Sequence, residues 1–136
     1  MLSYQTILHV TRKELYELLL QQTASDISVK TEKDLTIDDI KKGYKYQYQR
    51  KGGKNPIMAS VHIFKPSLDH LETHYELSSG ERFVMKYLLK DLEDQCEVEY
   101  IQDNGKKPSS LETFLFRRQM KKRFKQIENY LISKKG

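Results

Sequence analysis

Five tyrosines are the residues of this chain best placed to do chemistry. Tyr46, Tyr48, Tyr75, Tyr87 and Tyr100 stand at alternate positions of apolar–polar runs. Each therefore belongs to the inward face of a β-strand, with Met85 beside them. A buried phenol needs a hydrogen-bond partner. Several phenols around one space suit a ligand that is mostly apolar and carries a few polar atoms. Facing them, Phe116 and Met120 lie on the apolar side of a C-terminal helical pattern. These eight residues are the expected ligand-binding set. The competing reading is a filled core in which each hydroxyl reaches the sheet rim or a water, because aromatic inward faces are ordinary in sheets.

A second set is electrostatic. Arg117, Arg118, Lys121, Lys122, Arg123 and Lys125 crowd nine positions with no acid among them. Residues 106–136 hold ten Lys/Arg and two Glu, a net +8, whereas residues 1–105 hold fourteen and seventeen, a net −3. Arg118, Lys121, Lys122 and Lys125 fall on the side of the helix away from its apolar stripe, and Phe114 and Leu115 also lie off that stripe. An apolar turn beside a basic face suits an anionic lipid surface. The same charges suit phosphate or an acidic protein partner. Arg117, Arg118, Lys121, Lys122 and Lys125 are the expected anion- and partner-binding residues. A solvated helix face would look the same.

Other chemistries lack their residues. His70 and His74 share a strand face about 13 Å apart, too far for one metal ion, and alternate with Glu72 and Glu76 on the polar side, so both are expected in solvent. No metal site, catalytic residue or cofactor is expected. Asp38 and Asp39 read as helix-start acids, Glu97 and Glu99 as outer sheet residues. Gly52-Gly53 is followed by no helix that could cradle phosphate. The single Cys96 allows no internal disulfide and reads as a small core residue.

The elements that position these residues can be followed along the chain. Residues 4–10 read as a strand. Thr11 and Glu14 form a capping box before a helix with Leu15, Leu18 and Leu19 inward. That helix continues through Ile27 towards Lys30. Leu35, Thr36, Asp39 and Ile40 mark a second short helix, with Gly43 as its stop. Period-two strands follow at residues 44–49, 57–64, 69–77, 83–90 and 96–100. Turn chemistry at residues 51–55, 65–67 and 78–80 separates the first four of them. Short connections favour sequential antiparallel pairing. Ser109 and Glu112 cap the last helix, in which Phe116, Met120, Phe124, Ile127 and Leu131 form one stripe. At about 1.5 Å per residue it is about 36 Å long, enough to cross a small sheet.

The predicted fold is one α+β domain over residues 1–136: a curved antiparallel sheet wrapped around a long C-terminal helix, with two short helices between strands 1 and 2. That order resembles the helix-grip fold of START-type lipid-transfer domains, the major birch pollen allergen and polyketide cyclases (the SRPBCC superfamily). Residues 8–15, residues 38–48 with Ile40-Lys41-Lys42-Gly43-Tyr44, and the basic helix from Phe116 to Arg123 resemble a family of small bacterial proteins, domain-of-unknown-function family 3284. These motifs are structural and carry no chemistry. The helix-grip resemblance implies an apolar ligand held between sheet and helix.

The expected function is non-enzymatic binding of a small, largely apolar ligand. The alternative is an interaction module whose basic helix meets anionic lipid, nucleic acid or an acidic protein. No apolar stretch is long enough to span a bilayer and no signal peptide pattern opens the chain. A cytoplasmic location without stable membrane insertion is therefore expected.

Overall fold

A computed structural model describes residues 1–40, 44–49, 56–64, 70–77 and 80–135. The expected stop at Gly43 and the turns at residues 51–55, 65–67 and 78–79 lie outside the described residues.

Strand β1 (Leu2–Leu8) leads into helix α1 (Arg12–Thr31). The strand ends two residues before the expected position, for a local reason. Val10 and Leu15 are fully buried. They flank the Thr11 cap at the two positions of a hydrophobic staple, so Val10 serves the helix entry and not the sheet. The Glu14 amide donates to Thr11 Oγ1 at 3.2 Å, and the Thr11 amide donates to Glu14 Oε1 at 3.4 Å. Helix α1 runs unbroken for 20 residues and ends where Glu32 adopts a left-handed conformation (φ 57°). Its buried side chains, from Leu15 to Ile27, cover one face of the sheet.

The second helical segment is a single 3₁₀ turn, Ile37–Asp39. The Thr36 amide donates to Asp39 Oδ2 at 2.8 Å. Ile40 is buried, with Leu35 packed partly against the same core.

Strands β2 (Tyr44–Gln49), β3 (Pro56–Phe64), β4 (His70–Glu76), β5 (Arg82–Leu92) and β6 (Gln95–Asp103) follow. They form an antiparallel meander with β1 closing on β6, in the order β1-β6-β5-β4-β3-β2. The register places Tyr4 opposite Tyr100, Tyr100 opposite Tyr87, Tyr87 opposite Leu71, and Met85 opposite Thr73. The inward parity expected for β4, β5 and β6 therefore holds across strands, since residues opposite one another share a face.

Helix α2 (Ser110–Lys135) begins at Ser109, whose Oγ accepts the Glu112 amide at 3.1 Å. Phe116, Met120, Phe124, Ile127 and Leu131 are all buried. Helix α2 packs on β1, while α1 packs on β2, β5 and β6. The two helices share the inward face of the sheet, where Tyr87 meets Phe124 of α2 and lies across from Leu19 of α1. No helix among the described residues is long and apolar enough to cross a membrane.

Candidate functional site

Between α1 and the sheet lies a cavity of about 700 Å³. Among the described residues its inner wall includes Tyr46 and Tyr48 of β2, Leu71, Thr73 and Tyr75 of β4, and Phe83, Met85 and Tyr87 of β5. Leu19, Thr23 and Lys30 of α1 form the opposite wall, and Arg123 is the contribution of α2. The exposed side chains Gln22, Asp26, Glu81, Arg82, Asn104 and Lys106 mark the opening.

The eight residues of the ligand-binding set divide between two places. Tyr46, Tyr48, Tyr75, Met85 and Tyr87 line the cavity. Tyr100, Phe116 and Met120 are buried beside it, in the core under α2. The Tyr100 and Phe116 rings stack with centroids 6.0 Å apart. The space therefore opens towards α1 rather than under the closing helix. Alternation along a strand names the face of a residue, but not which helix covers it.

The sheet wall of the cavity is rich in aromatic rings, while Lys30 and Arg123 bring positive charge from the helices. Tyr46 and Tyr48 stack with centroids 5.9 Å apart, and Tyr75 and Phe83 lie at the same distance in a tilted arrangement. Burial raises the pKa of Tyr46, with Tyr75 adding to the shift through its charge and the bond between the two hydroxyls. Burial also raises Tyr75, against the pull of Lys30. Tyr87 is pushed up to about 12 by burial, opposed by Arg123. These phenols keep their protons at neutral pH and serve as hydrogen-bond groups, not as bases.

Two cations touch these rings. The Lys30 Nζ lies 4.7 Å from the Tyr48 centroid and 5.3 Å from that of Tyr75. It also pairs with Asp26 at 3.0 Å. Burial alone would lower the Lys30 pKa, but Asp26 together with Tyr75 and Tyr48 outweighs it and the net shift is upward. The Arg123 guanidinium lies 5.6 Å from the centroids of both Tyr87 and Tyr100.

Arg123 is the residue that reading by charge leaves out of the site. It belongs to the basic run, yet it lines the cavity while Arg117, Arg118, Lys121, Lys122 and Lys125 are exposed. Its position carries the signal. Arg123 is three residues after Met120 and four before Ile127, so it sits on the stripe side of the helix.

The exposed members of the run adjoin exposed apolar residues at the start of α2, where Leu111, Phe114 and Leu115 are 66%, 61% and 51% exposed.

The histidines differ from expectation. His70 and His74 do not stand free in solvent, because Glu72, 15% exposed, lies between them and bonds to both. Burial alone would raise the Glu72 pKa. The bonds from His74 and His70 outweigh that cost and hold it below its ordinary value. A depressed carboxylate stabilises the fold above its unfolded pKa, and that contribution disappears as pH falls through the folded value. Replacing Glu72 by Gln should therefore lower the urea midpoint at about pH 7, with the gap closing towards about pH 3. An identical gap at both values would contradict this role. Cys96 is buried, and burial pushes its thiol up to about 11, which makes it a poor nucleophile.

The family described as domain of unknown function 3284 matches residues 3–114. The chain belongs to that family. No curated protein is significantly similar to it in sequence. Among solved structures, protein MLL2253 of Mesorhizobium loti superposes with a TM-score of 0.62 at 13% identity, over 98% of each chain. The Aha1 dimer protein of Colwellia psychrerythraea superposes at 0.54 and 13%, over 96% of this chain and 94% of that one. DynU16, from the dynemicin biosynthetic locus, does so at 0.53 and 11%, with this chain spanning 46% of its length. At such identities the comparisons speak for the fold alone, which is a helix-grip fold. A shared fold does not by itself fix a function.

Proposed function

We propose that the protein binds a small, largely apolar molecule in the cavity between α1 and the sheet. One observation carries the reading: the cavity of about 700 Å³ falls within the range of small-molecule sites, and its sheet wall is built largely of aromatic and apolar side chains, with charged groups on the helices and at the opening. The four wall tyrosines supply polar tips at the ends of apolar bodies, which suits a ligand with a ring system and one or two heteroatoms. Neutral N-phenyl-1-naphthylamine should bind with saturable fluorescence enhancement at one molecule per chain. Fluorescence that never saturates, or does not rise, would sink the reading.

A second reading is favoured by the start of α2. Leu111, Phe114 and Leu115 stand exposed beside the basic face that carries Arg118, Lys121, Lys122 and Lys125. Such a face suits docking on an anionic lipid surface. Vesicles rich in phosphatidylserine should retain the protein at low salt, and replacing those four cations by Glu should abolish retention. Equal retention of the variant would dismiss the idea.

A further inference from the structure

We propose that the ligand is an anion: a flat, ring-bearing molecule whose single carboxylate or other acidic group sits on Arg123. This rests on the reading of the cavity as a ligand site and adds the chemical class of what enters it.

The first observation is the direction of Arg123. In a run of cations that otherwise face solvent, it alone is half-buried and lines the cavity. Turning a guanidinium inward sacrifices hydration and demands compensation.

The second is the nature of that compensation. Among the described residues no carboxylate pairs with Arg123. Its neighbours are the ring faces and hydroxyls of Tyr87 and Tyr100. The Tyr100 hydroxyl already accepts from Gln102 Nε2 at 2.7 Å. A guanidinium carries five N–H donors in one plane. Ring faces and two phenol oxygens leave part of that fork for an acceptor in the cavity, and a carboxylate matches it in a bidentate arrangement.

The third is the charge balance of the lining. Among the described residues of the lining, Lys30, Arg82, Lys106 and Arg123 face Asp26 and Glu81, a net +2. Asp26 is committed to Lys30 at 3.0 Å. Glu81, Arg82 and Lys106 are exposed at the opening, where water screens them. Arg123 is therefore the inner cation whose counter-charge the described residues do not supply. The stacked Tyr46–Tyr48 pair and the Tyr75–Phe83 pair offer flat surfaces for the ring body.

The test uses two fluorescent probes with one ring skeleton. 8-Anilinonaphthalene-1-sulfonate carries a negative charge and N-phenyl-1-naphthylamine carries none. The wild-type protein should prefer the anion by roughly tenfold or more at low salt. Replacing Arg123 by Met should remove that preference, whereas Lys13→Met, at the exposed start of α1 and outside the cavity lining, should preserve it. A preference that survives Arg123→Met overturns the anion assignment and leaves the cavity reading intact. A neutral probe that fails to bind wild-type protein overturns the cavity reading, and the anion assignment falls with it. Should Arg123→Met not fold, the wild-type protein decides by NMR. The Arg123 Nε–H signal should shift with the sulfonate and stay still with the neutral probe. A signal that responds equally to both, or to neither, refutes the assignment.

Discussion

Replacing Phe124 by Ala is expected to cost about 3–5 kcal/mol of stability, the range for truncating a fully buried aromatic. Phe124 is 1% exposed and stands where three elements meet. Its ring stacks on Tyr4 of β1 at 6.0 Å and meets Tyr87 of β5 edge-on at 6.5 Å. Removing it leaves a void between α2 and the sheet that these rings cannot collapse to fill, because both are tethered to paired strands. Domains of this size are stable by about 5–15 kcal/mol in total, so the loss is a large fraction of the whole. Phe124→Leu, which keeps most of the volume, should cost under about 1.5 kcal/mol. Urea denaturation checks both values. A Phe124→Ala loss below about 1 kcal/mol would mean that α2 is not clamped to the sheet at this point.

The double variant Thr73→Trp, Met85→Trp should do the reverse, abolishing probe binding while sparing stability. Thr73 and Met85 are cross-strand partners, and both line the cavity. Two indoles there occupy the space that a ligand would take, and tryptophan is well tolerated in strands. Both positions border open space, so the added rings gain contacts with the wall at little cost in packing, and the midpoint of unfolding should hold or rise. Neutral-probe affinity should fall at least about tenfold, or roughly 1.4 kcal/mol. Unchanged affinity in a folded double variant would show that the probe binds elsewhere.

The caps and strand faces were legible from short-range chemistry. Thr11 with Glu14, Thr36 with Asp39 and Ser109 with Glu112 each place a helix start by an interaction that spans three residues. Tyr46, Tyr75, Tyr87 and Tyr100 fall inward because alternation in a strand is geometric. The division of that inward face was not legible. Tyr87 borders the cavity and Tyr100, its partner on the next strand, is sealed under Phe116. The difference depends on where α2 crosses the sheet and on the curvature that brings α1 over β2 and β5, both long-range properties. The length of α1 was partly legible in its apolar spacing. Its role as the cavity wall depends on the same curvature. Arg123 was legible in principle from its spacing to Met120 and Ile127, but counting charges along the run merges it with its solvent-facing neighbours. His70 and His74 were placed on the correct outer face. What alternation alone could not show is that Glu72, midway between them, draws both side chains onto itself.

The most direct test of the central claim is an amide NMR titration of the wild-type protein with N-phenyl-1-naphthylamine. Saturable shifts concentrated at Leu19, Thr23, Thr73, Met85 and Tyr87, with His74 and Lys86 on the outer face of the sheet unmoved, are the predicted result. A saturating probe that leaves those five amides still, or that shifts both faces of the sheet alike, would contradict a ligand cavity between α1 and the sheet.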